Sequence, residues 1–122
     1  KVKSSQRYKL VPESMKVDPY KLLDLNPIDW YDKNNVEEYA ELLTKQENGE
    51  DVELKGEKIR RIPGLAAEDV VAAGLEEFVE FNENDDPEGV MYDRLWTLLI
   101  PIVREQQSRI KKIERVMGIE KH

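Results

Sequence analysis

Trp96-Thr97-Leu98-Leu99-Ile100-Pro101-Ile102-Val103-Arg104-Glu105-Gln106-Gln107-Ser108-Arg109-Ile110-Lys111-Lys112-Ile113-Glu114-Arg115-Val116-Met117 is the most regular stretch of the chain, and its period decides the fold. Alternating steps of three and four lead from Trp96 through Leu99, Val103, Gln106, Ile110 and Ile113 to Met117. This is a heptad seam with Trp96, Val103, Ile110 and Met117 at a, and Leu99, Gln106 and Ile113 at d. Isoleucine in adjacent a and d layers favours three strands or more, and Gln106 is a polar layer of the kind that fixes register. Asp93 is a candidate N-cap and Gly118 a candidate stop. Pro101 removes one backbone donor, so a bend or a late helix start is expected there. About three heptads are marginal as an isolated coil. The bland alternative is an amphipathic helix packed on its own domain, but little apolar sequence elsewhere is available to cover the seam.

Composition points the same way. The 122 residues suit one domain, and 39% hydrophobic against 37% charged is thin for a monomeric globule. A core shared between copies of the chain answers that shortage. Cysteine is absent and histidine occurs once, which excludes disulfides, thiolate or His-based metal clusters and a cysteine nucleophile, and no cofactor is expected. A net charge of −7 argues against a nucleic-acid partner. No apolar run approaches the roughly 20 residues of a membrane span, so no membrane partner is expected.

Outward from the seam, the chain divides into an arm (1–17), an α+β body (18–92) and the terminal helix (93–117). Lys1, Lys3, Arg7, Lys9 and Lys16 make the arm locally basic, and Pro12 prevents a continuous helix. Asp18-Pro19 opens a short helix that Asn26-Pro27 stops. Ile28-Asp29-Trp30-Tyr31 predicts a short strand. Asn35 with Glu38 forms a capping-box pattern before the stripe Val36, Tyr39, Leu42, Leu43, and Asn48-Gly49 ends that helix. Alternation over 51–55 and 58–62, around Gly56-Glu57, predicts a protruding hairpin at about 51–62. A short helix over Ala66–Ala73 closes at Gly74; Glu77–Phe81 and Val90–Tyr92 predict a strand pair around an acidic turn.

Candidate chemistry begins with Ser4-Ser5-Gln6-Arg7-Tyr8-Lys9. A hydroxyl nucleophile needs a base, and lysine serves when neutral. Ser4 and Lys9 are five residues apart, about 140 degrees around a straight helix, so they meet only across a turn or between neighbouring subunits. Glu83, Asp85, Asp86 and Glu88 lack regular Ca²⁺-ligand spacing and read as a solvated acidic turn. Arg60-Arg61 reads as a charged strand face, Trp30, Tyr31 and Trp96 as core or interface aromatics, and His122 as a disordered end or a tag remnant.

The chain resembles the C-terminal intramolecular chaperone domains of phage tail spikes, fibres and neck appendages, a self-cleaving peptidase family. Ser4-Ser5-Gln6-Arg7-Tyr8-Lys9 stands where that family has a Ser-Asp-Arg-Arg-x-Lys-like motif. Leu25-Asn26-Pro27-Ile28-Asp29-Trp30 is similar to its Leu-x-Pro-Val-x-Phe/Trp segment, and Ile62-Pro63-Gly64-Leu65-Ala66-Ala67-Glu68-Asp69-Val70 to its Gly-Phe-Ile-Ala-Gln-Glu-Val. Gly89-Val90-Met91-Tyr92-Asp93-Arg94-Leu95, followed by Leu98-Leu99, looks like its Tyr-x-x-Leu entry into the last helix. Ser5 replaces the family's acidic residue and Gln6 an arginine.

The resemblance implies a homotrimeric chaperone whose partner is the upstream fibre or appendage domain of the same polypeptide. It implies autoproteolysis of the Lys3–Ser4 bond, with Ser4 as nucleophile and Lys9 as general base; Ser5 is the competing nucleophile. It further implies action in the host cytoplasm during virion assembly and release from the mature fibre. The fold expected is α+β: short helices, a protruding hairpin, and a long C-terminal helix in a homotrimeric bundle. The alternative function is a permanent, non-catalytic trimerisation cap.

Overall fold

Asp18 and Pro19 begin the body of the computed structural model, which describes residues 3–54 and 59–119. The Asp18 carboxylate accepts from the Tyr20 N–H at 3.0 Å, and Pro19 sets the first φ of a 3₁₀ turn, Pro19–Asp24. Leu25 returns to extended backbone ahead of Asn26-Pro27. Ile28–Tyr31 then forms β1.

The cap of the next helix differs from expectation. Helix α1 spans Lys33–Glu47, and its N-cap is Asp32, whose carboxylate accepts from the Asn35 N–H at 3.0 Å. An ionised carboxylate complements the positive helix end, so the helix starts as β1 ends, and Asn35 becomes an ordinary first-turn residue. Its C-terminus falls at Asn48-Gly49 as expected, with Gly49 left-handed at φ 85°. Val36 and Leu43 on its apolar stripe stay exposed, and the helix buries no residue.

The expected hairpin is replaced by a longer-range pairing. Asp51–Leu54 carries no strand, the turn at Gly56-Glu57 lies outside the described residues, and Arg61–Gly64 is β2, antiparallel to β1. The register sets Trp30 opposite Ile62 and Tyr31 opposite Arg61. Two runs of alternating charge have little apolar face to share, whereas Ile62 against Trp30 gains one. Arg61 turns back onto the Asp29 carboxylate and stacks 4.9 Å from the Tyr31 ring centroid, which makes it a strand-face residue.

The core gathers after β2. Helix α2 (Ala67–Ala72) buries Ala67 and Val70; Gly74, at φ 81°, reverses the chain and lets Leu75 and Phe78 enter. A 3₁₀ turn, Glu76–Phe78, leads into β3 (Val79–Phe81), which pairs antiparallel with β4 (Pro87–Val90) through a bulge at Glu80/Phe81. Asn82 organises the acidic turn between them: its side-chain oxygen accepts from the N–H groups of Asn84 (2.8 Å) and Asp86 (3.1 Å).

The terminal helix begins earlier and less regularly than expected. Helix α3 (Tyr92–Leu95) has Met91 as its N-cap in place of Asp93, a 3₁₀ turn follows at Trp96–Leu98, and α4 runs from Leu99 to Met117. Pro101 lies in the first turn of α4, where an α-helical N–H has no partner to lose, so the proline is absorbed by a late start. Gly118 ends the helix at φ 72°, with Ile119 N–H bonded to Glu114 C=O at 2.9 Å and Gly118 N–H to Arg115 C=O at 3.3 Å, a Schellman closure. Leu95, Leu98 and Ile102 face the body, and α4 rests on the Pro19–Asp24 turn. The result is an α+β chain with a long C-terminal helix and two small antiparallel sheets. No helix among the described residues is long and apolar enough to cross a membrane.

Candidate functional site

Gln6–Tyr8 makes one 3₁₀ turn in the arm, held by Tyr8 N–H to Ser5 C=O (3.1 Å) and Lys9 N–H to Gln6 C=O (3.0 Å). That turn does what a straight helix cannot, and brings Lys9 Nζ to 3.4 Å from Ser4 Oγ. The same ammonium donates to the Ser4 carbonyl oxygen. Arg7 serves the other serine: its guanidinium donates to Ser5 Oγ at 3.5 Å and to the Tyr8 hydroxyl at 3.0 Å, and lies 4.7 Å from the Tyr8 ring centroid. Lys3 Nζ lies 5.4 Å from that ring. The two serines are thus separated by partner, Ser4 with the lysine and Ser5 with the arginine. Sequence reading missed the part played by Arg7 and Tyr8, although arginine two residues after Ser5 was a usable signal.

Every residue from Lys3 to Lys16 is exposed, Ser4 and Lys9 included. A lysine acts as base in its neutral form, which burial favours. The single chain supplies the distance between the two groups and leaves them in water. Leu10 and Val11 follow directly at 94% and 81% exposure, and Val11 holds φ 45°, a strained value for a β-branched residue.

The second candidate surface is the seam of α4. Trp96, Leu99, Val103, Ile110, Ile113 and Met117 are 43–66% exposed, and Gln106 is exposed with them. On the same helical segment Leu98 and Ile102 retain 1% and 2%. The terminal segment therefore has two apolar faces, one against its own body and one uncovered. Trp96, Leu99, Ile100 and Val103 line a common apolar groove. Beyond Ile102 no described residue of α4 is buried. The buried stripe was overlooked in the sequence because the heptad overlies it, yet Leu95, Leu98 and Ile102 carry the same three-then-four spacing.

Where α4 meets the Pro19–Asp24 turn, Tyr20 faces Glu105. The buried phenol oxygen falls short of a full hydrogen bond, but the carboxylate as hydrogen-bonding neighbour, then burial, raises the Tyr20 pKa above its ordinary value.

Three sequence blocks meet at Gly64. A Cβ there would lie 2.5 Å from the Tyr92 hydroxyl and 2.8 Å from the Trp30 ring, so only glycine fits. The Tyr92 hydroxyl accepts from Leu65 N–H at 2.8 Å and donates to Leu65 C=O at 3.2 Å, tying β2 to the start of α3. Among the described residues no group of three or more acidic or imidazole side chains is placed to hold a metal ion.

Comparison of the chain with protein-family models, with curated proteins and with solved structures gave no match.

Proposed function

We propose that this chain is a homotrimeric intramolecular chaperone that assists an upstream phage fibre or appendage domain of the same polypeptide, then releases itself by cutting the Lys3–Ser4 bond. The uncovered seam carries the reading: residues from Trp96 to Met117 at heptad spacing stay exposed while Ile102, on the same helix, is buried. An apolar line of that length is covered when copies meet, and three isoleucine-bearing seams fit one another. Joining three C-termini raises the effective concentration of the segments ahead of them, which then register before they aggregate. Assembly takes place in the host cytoplasm, and the chaperone is absent from the mature fibre.

Support for the release step comes from Ser4 Oγ and Lys9 Nζ at 3.4 Å. Neutral Lys9 takes the hydroxyl proton as Ser4 Oγ attacks the Lys3 carbonyl carbon. The C–N bond to Ser4 breaks, its nitrogen receives the proton, and an ester remains. Water opens the ester, leaving a Lys3 carboxylate and a free Ser4 hydroxyl and amine. The upstream product is kinetically trapped once the clamp has left.

Exposure of both Ser4 and Lys9 favours a second reading, a permanent non-catalytic trimerisation cap. Expressing the chain behind its upstream segment and running a denaturing gel separates the two. The chaperone reading expects wild type to split while Ser4→Ala and Lys9→Ala remain whole. Wild type that stays full length rejects self-cleavage and leaves the cap.

A further inference from the structure

The Gln6–Tyr8 turn makes the same five-residue connection twice. Ser4 meets Lys9 and Lys3 meets Tyr8, so both residues of the Lys3–Ser4 bond are held by consecutive residues of one turn. On the Ser4 side the contact is polar: Lys9 Nζ lies 3.4 Å from Oγ and also donates to the Ser4 carbonyl. On the Lys3 side a cation lies over an aromatic face, with Nζ 5.4 Å from the Tyr8 ring centroid, within the range at which the ring attracts it. The ring is itself braced. Tyr8 N–H donates to Ser5 C=O at 3.1 Å, and Arg7 donates to the phenol oxygen at 3.0 Å while its guanidinium lies 4.7 Å from the ring centroid. Among the described residues no carboxylate pairs with the Lys3 ammonium, and Glu13 is the one acid in positions 1–17. The π face of Tyr8 is what the arm offers to a cation at position 3.

The carbon that Ser4 Oγ attacks belongs to Lys3, and a reacting carbon held slightly out of place reacts far more slowly. A Lys3 side chain resting on a braced ring has fewer rotations open to it, and so does the carbonyl beside it. We propose that Tyr8 seats the Lys3 side chain and is a specificity-determining residue of the self-cleavage, selecting a cationic side chain on the acyl side of the bond. The inference rests on the self-cleavage reading above and adds its side-chain preference. Tyr8 is 55% exposed, so water weakens the contact and its effect on the rate is modest, about two- to fivefold.

The test follows cleavage over time by intact mass in the chain expressed behind its upstream segment. Tyr8→Leu removes the ring and Lys3→Met the charge, and each slows cleavage about two- to fivefold. The double variant is no slower than either single one, because both remove the same contact. Restoring a ring with Tyr8→Phe or a charge with Lys3→Arg recovers most of the loss, which a general disturbance of the turn would not allow. In Ser4→Ala, which keeps the bond whole, the ring shifts the Lys3 ε-methylene proton resonances upfield, and Tyr8→Leu abolishes that shift. Wild type that cleaves while the single variants keep its rate, or while the losses add in the double variant, overturns the seat and spares self-cleavage. Absence of the ring shift in Ser4→Ala also overturns the seat. Wild type that stays whole overturns self-cleavage and, with it, the role given to Tyr8.

Discussion

Lys9 Nζ sits 3.4 Å from Ser4 Oγ and also donates to the Ser4 carbonyl, while Arg7 engages Ser5. One 3₁₀ turn therefore assigns each serine its own cation. Lys9→Arg tests what that contact does. Arginine keeps the charge and the donor but cannot act as a base. In the chain expressed behind its upstream segment, Lys9→Arg slows cleavage by at least about a hundredfold, and Ser5→Ala cleaves within a fewfold of wild type, read by intact mass. Full activity in Lys9→Arg rejects a base role for Lys9.

The two faces of the terminal segment separate stability from assembly. Leu98 keeps 1% of its surface, so Leu98→Ala costs about 2–5 kcal/mol of folding stability in denaturant titration. Val103, 57% exposed, faces away from the body. Val103→Asp leaves the circular dichroism of dilute chain intact and abolishes association. A collapse of helicity in Val103→Asp would place that residue in the chain's own core.

Gly64 is filled by its neighbours. Gly64→Ala pushes a methyl into the Tyr92 hydroxyl and the Trp30 ring and lowers stability by about 1–3 kcal/mol. In a Tyr92→Phe background, which lacks the nearer obstacle and also the two bonds to Leu65, the same Gly64→Ala change costs less than it does in wild type. Equal melting of wild type and Gly64→Ala counts against the close junction.

Tyr20 supplies a pH signature. Its pKa is raised by Glu105 and by burial, so above the ordinary phenol value of 10.0 the unfolded chain releases the proton more readily than the folded one. Stability then falls as pH rises through that range. Tyr20→Phe removes this term, so the stability gap between wild type and variant narrows in the variant's favour on going from pH 8 to about pH 11. A gap that stays constant with pH rejects the contact.

Local patterns were legible in the sequence and non-local ones were not. Asp18-Pro19, Gly49 and Gly118 act through bonds within a few residues, and each stops or starts a helix as read. The partner of β2 lies some thirty residues earlier in the chain, whereas alternation at 51–62 suggested one within the same hairpin. Asp32 outcompeted Asn35 as cap because charge and the end of β1 both favour it. Sequence spacing kept Ser4 and Lys9 apart on a straight helix and left a turn or a neighbouring subunit to join them; within the chain a 3₁₀ turn does so. The seam was legible because its period is long. Its second, buried face was masked by the first.

Sedimentation equilibrium of the purified chain at micromolar concentration reads the number of copies joined by the seam. A trimer sediments at three times the 14.3 kDa chain mass. A single 14.3 kDa species across that range rules the trimer out.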